Sequence, residues 1–514
     1  MRALVASLFV VASAACLCSP APECVSPDDC FGRACNDGVC APRPDASVPI
    51  VSGAGGGAVT GGGTATSGGG AAGGVVIDPC ALNHTGSITG TVTEPSGQLA
   101  LPNVLVFIAT AGLEDFPVGA TGRCPGCDDD VSGKPLVSTL SSTTGTFQLD
   151  GVPAGRARVV FQTGRWRREV ETFVAECTTN SLARTLTRLP RSRAEGDLPR
   201  FALVTGAADP FECLLLKLGI APSEFTRPDA GGRVQLYTNN GQVLDGGLPF
   251  ESELLFTPGR LQQYDQVIFP CRGATAGRGS IERGAIGQFV DRGGRFFTTH
   301  YGYTWMEGSP FSQTAAWTPT SQFASIDSVE TITTFPKGAI YGQWLSQVAR
   351  ISGRVQLVDP RYNVGSVKGS TIAWLGLPGR RTELDTQWTA QLTFTTPFDG
   401  GVGCGRVAFS DFHVSTNALQ VPIIPQCTTP PCPPPPPRPP FPENCLSAPF
   451  TDQEKVLVYL LFDLGTCAKN DREVPGACGV VGASCSAALG CCGDHRCLET
   501  AGDPCDGGTC RCVP

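Results

Sequence analysis

The sequence predicts a multidomain exported protein: a β-sandwich, then an α/β domain on a parallel sheet, with small disulfide-rich modules at both ends. Three observations carry this prediction. First, 25 cysteines are spread over 514 residues, many of them in tight clusters near the two ends; such a length calls for several folding units at roughly 100–200 residues each. Second, between residues 80 and 190 short apolar stretches recur at sandwich spacing, punctuated by Gly and Pro. Third, from about residue 200 strand patterns alternate with helix patterns, as in a parallel sheet covered on both faces. The net charge of -8, with no basic tract, argues against a nucleic-acid partner.

The amino terminus reads as a signal peptide over 1–15. Arg2 precedes the apolar run ALVASLFVVASAA, which is too short to span a bilayer and ends in small residues. Export places the cysteines in an oxidising compartment. The following Cys16 resembles a bacterial lipoprotein acylation site, although Ser13 replaces the usual leucine. Setting Cys16 aside leaves an even 24 of the 25 cysteines for bridges. Residues 16–44 then form a Cys-rich module whose Cys24, Cys30, Cys35 and Cys40 are too closely spaced for a hydrophobic core and suit two disulfides better than zinc. Residues 45–79 are a Gly/Ser/Thr-rich tether, whose composition buries too little apolar surface to fold. About thirty such residues span roughly 30 Å as a coil.

Residues 80–190 supply strands over 87–93, 104–108, around Phe147 and Leu149, and over 157–161. Gly90-Thr91-Val92, Leu101-Pro102-Asn103-Val104, Thr144 through Leu149 (TGTFQL) and Val152-Pro153-Ala154-Gly155 resemble the carboxypeptidase regulatory-like, transthyretin-related domain. That resemblance implies an accessory sandwich without chemistry of its own. Within it, Cys124 and Cys127 followed by Asp128, Asp129 and Asp130 read as a disulfide-closed loop. Soft and hard donors mixed in this way suit neither calcium nor structural zinc.

Residues 197–466 read as the α/β domain. Strands are predicted over 201–205, 264–269 and 295–299, with helices over 210–218 and after Ser280 as cap, the latter placing Ile281, Ala285, Ile286, Phe289 and Val290 on one face. YDQVIFPCRG, QFVDRGGRFFTTHYGY and GRVAFSDFHVS resemble the class I glutamine amidotransferase-like superfamily and, within it, the ThuA-like proteins, which implies a flavodoxin-like parallel sheet. In that comparison His300 occupies the position of the cysteine nucleophile, His413 that of the activating histidine, and Ser415 that of the acid two residues later. Acyl transfer needs a thiolate, a base and oxyanion donors, so the resemblance implies a degenerate site. Cys271, on a neighbouring turn, is expected to pair with Cys213 or another cysteine rather than act as a nucleophile. His300 and His413 are the candidate catalytic residues. Tyr301, Tyr303, Trp305 and Asp411 are candidate binding residues near the strand ends, where open α/β sheets take ligands. Five of the six tryptophans lie between the two histidines; they suit sugar stacking or an ordinary core equally.

A Pro-rich loop, 425–445, interrupts this domain, and a capping box from Thr451 to Glu454 starts an apolar helix over 451–464 that returns to it. The tail, 467–514, carries Cys478, Cys485, Cys491, Cys492, Cys497, Cys505, Cys510 and Cys512. Its C-x6-C-x5-CC-x4-C frame resembles cystine-knot (knottin) modules, which implies pairings of Cys478 with Cys492 and Cys485 with Cys497.

These readings predict a secreted protein, an outer-surface or periplasmic lipoprotein, with a non-catalytic binding or structural role in the envelope, adhesion or polymer binding. Expected partners are an envelope or extracellular polymer or protein, carbohydrate included; the membrane is reached only through a lipid anchor. No cofactor or metal is expected in that reading. The competing expectation is a ThuA-like carbohydrate-active or hydrolytic enzyme using His300 and His413, with a divalent metal as a minor variant. A third is protease inhibition by the Cys-rich tail.

Overall fold

A computed structural model describes residues 35–36, 39–40, 84–122, 131–239, 241, 247–275, 277–319, 324–377, 387–398, 403–414, 441–466, 496–499 and 510–513. The chain divides into two compact units, Met1–Val75 and Val76–Pro514. In the first, Cys35–Asn36 and Val39–Cys40 pair as a short antiparallel hairpin. Near the end of the second, Arg496–Glu499 pairs antiparallel with Cys510–Val513, placing Cys497 opposite Cys512. The expected lipidation site Cys16, Cys24, Cys30, the 124–127 loop, the tether, most of the Pro-rich loop and the remaining tail cysteines lie outside the described residues. Among the described residues no helix is long and apolar enough to cross a membrane.

The sandwich region comprises β1 (Thr85–Thr91), β2 (Leu105–Ala109), β3 (Pro135–Leu140), β4 (Thr146–Pro153), β5 (Gly155–Thr163), β6 (Trp166–Val174) and β7 (Thr179–Ser181). One sheet runs β4-β1-β7 and the other β3-β2-β5-β6. Alternation places Phe147 and Leu149 inward from β4 and, past a break in the alternation, Val152 as well; they join Ile88, Val106 and Phe161 in one core.

The following region is built on β8 (Phe201–Thr205), α1 (Phe211–Lys217), β9 (Phe225–Thr226), β10 (Val234–Thr238), α2 (Glu251–Phe256), β11 (Gln266–Phe269), α3 (Ser280–Asp291), β12 (Arg295–Thr299), β13 (Ala315–Trp317), β14 (Ile326–Thr331), α4 (Pro336–Gln347), β15 (Val355–Val358), β16 (Val364–Val367), β17 (Ile372–Leu377), β18 (Trp388–Thr396), β19 (Gly405–Ser410) and α5 (Asp452–Gly465). Its ten-stranded sheet has the order β9-β10-β8-β11-β12-β19-β18-β17-β14-β15. The expected parallel sheet is only half of it. From β9 to β19 neighbours are parallel, whereas β19-β18, β18-β17, β17-β14 and β14-β15 are antiparallel. Apolar runs signal strands but not their direction, which the connections impose.

Two local expectations need correction. Gly279, not Ser280, is the N-cap of α3, and Ile281 is exposed while Ile286, Phe289 and Val290 turn inward. The capping box of α5 does form: Thr451 Oγ1 accepts from Glu454 N, and Glu454 Oε2 accepts from Thr451 N at 2.8 Å. Eight apolar residues of α5 between Val456 and Leu464 are buried, which holds the helix against the sheet by hydrophobic burial more than by propensity.

Sandwich and sheet share one hydrophobic core. Trp166 of β6 packs on Phe201 and Phe462 with ring centroids 6.1 and 5.4 Å apart. Trp344 of α4 donates its indole N–H to the Ala100 carbonyl at 2.7 Å. A buried aromatic whose polar atom is satisfied fixes a geometry that apolar area alone leaves open.

Cys213 of α1 pairs with Cys445, closing a sequence separation of 232 residues, and Cys177 and Cys404 are disulfide-bonded as well. Cys271 is free and buried. This overturns its expected pairing with Cys213, whose partner comes instead from the end of the Pro-rich loop. It also removes the parity argument for acylation: with Cys271 unpaired, 24 of the 25 cysteines remain, and setting Cys16 aside then leaves an odd number.

Candidate functional site

Four strand-end segments converge at the carboxyl edge of the parallel half. They follow β8 (Asp209), β11 (Cys271), β12 (His300) and β19 (His413). Parallel strands point all their carboxyl ends to one edge, so residues far apart in sequence meet there. The turn after β11 lies tightly against the end of β8: a Cβ on Gly206 would come within 2.5 Å of the Cys271 carbonyl oxygen.

Asp209 is fully buried and organises the edge. Its Oδ1 accepts from His413 Nδ1 and from Val414 N, both at 2.8 Å. Its Oδ2 accepts from Thr299 Oγ1 and, at 3.3 Å, from Cys271 N. One carboxylate therefore ties three other strand ends to the fourth. The acidic partner of His413 is thus not a residue just after it but Asp209, 204 positions earlier; Ser415 lies outside the described residues. An Asp-Pro pair four residues past the end of a buried strand was the available signal.

The imidazoles of His300 and His413 stack with centroids 3.8 Å apart and 20° between planes. His300 Nδ1 lies 3.4 Å from Cys271 Sγ, and the ring also hydrogen-bonds the Asp359 carbonyl. His413 hydrogen-bonds the Cys271 thiol in addition to Asp209. The nearest donor atoms of Cys271, His300 and His413 all lie within 4.8 Å of one another. His300 and Asp359 both sit at positive φ, 48° and 47°, a conformation that costs non-glycine residues of order 1 kcal/mol or more and is held by its surroundings.

The two histidines differ electrostatically. Burial lowers the pKa of His300, and the charges of His413 and Arg361 lower it further. Burial also opposes protonation of His413, but the Asp209 carboxylate and its hydrogen bond outweigh this and hold its pKa well above the ordinary value. Of the two rings in contact only one takes up a second, charging proton, and Asp209 fixes it on His413.

The other candidates divide. Tyr301 packs edge-on to His300 at 4.6 Å, and its hydroxyl accepts from Arg361 Nη1 at 2.9 Å while the guanidinium lies 4.3 Å from its ring. Arg361 was not marked by any sequence motif. Asp411 is buried behind the site; its Oδ2 accepts from Asn363 N and Trp388 Nε1, and burial raises its pKa well above the carboxylate range. Tyr303 and Trp305 are core residues; Trp305 is 1% exposed and packs on Phe269, Phe296 and Arg278. Trp317, Trp344, Trp374 and Trp388 are buried as well. The tryptophans between the histidines build the core and present no stacking platform. One unassigned group stands beside Asp209: Glu212 is fully buried, neither carboxylate oxygen has a hydrogen-bond partner among the described residues, and burial raises its pKa to about 8.

No family model matches the chain, and no curated protein does. Among solved structures it is similar to a ThuA-like protein from Bacteroides uniformis at 10% identity, over 41% of this chain and 81% of that one, TM-score 0.24. A ThuA-like protein from Parabacteroides merdae is similar at 10% identity over 41% and 78%, TM-score 0.22. The major pilin subunit of Bacillus cereus is similar at 13% identity over 21% of this chain, TM-score 0.14; the match spans 30% of the pilin.

Proposed function

We propose that this chain is an exported protein whose α/β domain, a degenerate ThuA-like one, binds a ligand at the carboxyl edge of its parallel strands without turning it over. The carboxypeptidase regulatory-like sandwich acts as its fixed support. The observation that carries this reading is the stacking of His300 on His413 at 3.8 Å. Acyl transfer of the amidotransferase kind requires a thiol or hydroxyl nucleophile that hydrogen-bonds the base and hands it a proton. Here an imidazole fills the nucleophile position and touches the base. A surface tether through Cys16, with an envelope polymer or protein as partner, rests on the leader sequence alone. The test is turnover of glutamine, esters and glycosides by the full-length protein purified from an exporting host. The reading expects no activity above that of His413→Ala. Activity present in the wild type and lost in folded His413→Ala and Cys271→Ser contradicts it.

A second reading, a thiol hydrolase, draws on one observation: Asp209, His413 and Cys271 form a carboxylate–imidazole–thiol line, the nucleophile–base–orienter relation. It requires that iodoacetamide alkylate Cys271 rapidly below pH 7 and that alkylation abolish a measurable turnover. Slow alkylation of the buried thiol counts against it.

A further inference from the structure

We propose that Cys271, His300 and His413 form a mononuclear site for a thiophilic transition-metal cation, zinc(II) being the case that fits, with Asp209 and the Asp359 carbonyl fixing the two imidazoles. This deepens the binding reading above and rests on it: the cation is the anchor through which the edge holds its ligand.

The donor set suits such a cation. One thiolate and two imidazoles match zinc and copper chemistry and leave magnesium and calcium poorly served. With zinc–sulfur near 2.3 Å and zinc–nitrogen near 2.0–2.1 Å, a tetrahedron has a sulfur-to-nitrogen edge of about 3.5 Å. Cys271 Sγ and His300 Nδ1 are 3.4 Å apart. The widest of the three donor separations is bounded at 4.8 Å, more than 1 Å beyond that edge, so cation binding requires the two imidazoles to turn out of their stack. Three protein ligands leave the fourth position open for an incoming donor, as in non-structural zinc sites.

The surrounding shell is the second, independent line. Metal-binding histidines hand their other ring nitrogen to a carboxylate or a backbone carbonyl. His413 gives Nδ1 to Asp209 Oδ1 at 2.8 Å, and a bound cation would displace the proton on its other nitrogen, so binding releases a proton. The Asp359 carbonyl lies near enough to the His300 ring to favour its protonated form, while Nδ1 faces the sulfur. Both residues of that second pair hold positive φ, so the backbone is strained at the point where the ring is oriented. Charge is balanced: a divalent cation meets the Cys271 thiolate and the Asp209 carboxylate. Arg361 opposes it, but its guanidinium is turned to the Tyr301 hydroxyl and the side-chain Oδ1 of Asn363. Cys271 is also the one free cysteine among the described residues, as a ligand must be while Cys177, Cys213, Cys404 and Cys445 are oxidised.

The test uses the full chain purified without a histidine tag, stripped with chelator and titrated with cobalt(II), then zinc(II). Expected are one equivalent of cobalt with a sulfur-to-cobalt charge-transfer band and tetrahedral d–d absorption, displaced by zinc. Cys271→Ser removes the charge-transfer band, His300→Gln weakens binding at least 100-fold, and Asp209→Asn weakens it about 10–100-fold at unchanged stoichiometry. Melting curves confirm that each variant is folded; should Cys271→Ser not fold, zinc protection of the wild-type thiol from a thiol reagent replaces it. Folded wild type whose thiol titrates but shows no thiolate–cobalt band overturns the site, as does a band unchanged in Cys271→Ser. Turnover that requires zinc and is lost on chelation supports the metal site and ends the non-catalytic reading, whereas zinc-independent turnover ends that reading alone, so the two fail separately.

Discussion

The parallel and antiparallel halves of the ten-stranded sheet make opposite use of their side chains. In the parallel half, strand ends deliver Asp209, Cys271, His300 and His413 to one edge, where buried polar groups satisfy one another. In the antiparallel half the large residues are Trp374 and Trp388, and Tyr341, Trp344 and Tyr459 of α4 and α5 pack beside them. The contrast teaches where chemistry collects. Parallel connections gather distant residues at one edge, whereas antiparallel ladders alternate their ends and fill their faces with packing. Strand direction, more than aromatic content, marked the site.

The largest effect expected tests whether the two halves are one cooperative body. The Cys213–Cys445 bridge ties α1, on the parallel side, to the segment leading into α5. A loop of this length stabilises by about 5 kcal/mol in the chain-entropy model. Replacing both cysteines by Ala is expected to lower unfolding free energy by an amount of that order in denaturant titration; two separate transitions would show the halves to be independent. Next, Trp344→Ala is expected to cost about 3–5 kcal/mol, because it empties the packing on Tyr459 and the sandwich at once, while cobalt binding at the opposite edge stays unchanged.

A smaller effect sharpens the electrostatic side of the comparison. Glu212 is buried without a partner and its pKa rises from 4.5 to about 8. The folded state therefore keeps a proton that the unfolded state releases, so this contribution to stability is full below the unfolded value and is lost as pH climbs toward 8. Melting temperatures of Glu212→Gln should fall less between pH 5 and 8 than those of the wild type; parallel curves would mean that Glu212 is solvated. Tyr301→Phe should cost about 1.5 kcal/mol, the low end for a hydrogen bond with a charged group, because Arg361 keeps its bond to Asn363 Oδ1.

Much of the fold was legible because it is written locally. The strands at Phe201–Thr205 and Arg295–Thr299 are continuous apolar or β-favouring runs, and Thr451 with Glu454 spells its cap within four residues. His300 and His413 were legible through motif likeness, and the structure brings them into contact. Asp209 was not, since its role exists only across 204 residues of intervening chain. Nor was the free state of Cys271, because disulfide pairing is a property of three-dimensional proximity. Trp305 and its neighbours could not be sorted into platform or core from sequence, as one amphipathic ring serves both.

The most direct test of the central claim is X-ray absorption at the zinc edge on the zinc-loaded full-length protein. The account predicts one sulfur near 2.3 Å and two imidazole nitrogens near 2.0–2.1 Å, with a light-atom donor completing the shell. A shell of oxygen and nitrogen only, or the same spectrum from Cys271→Ser, contradicts it.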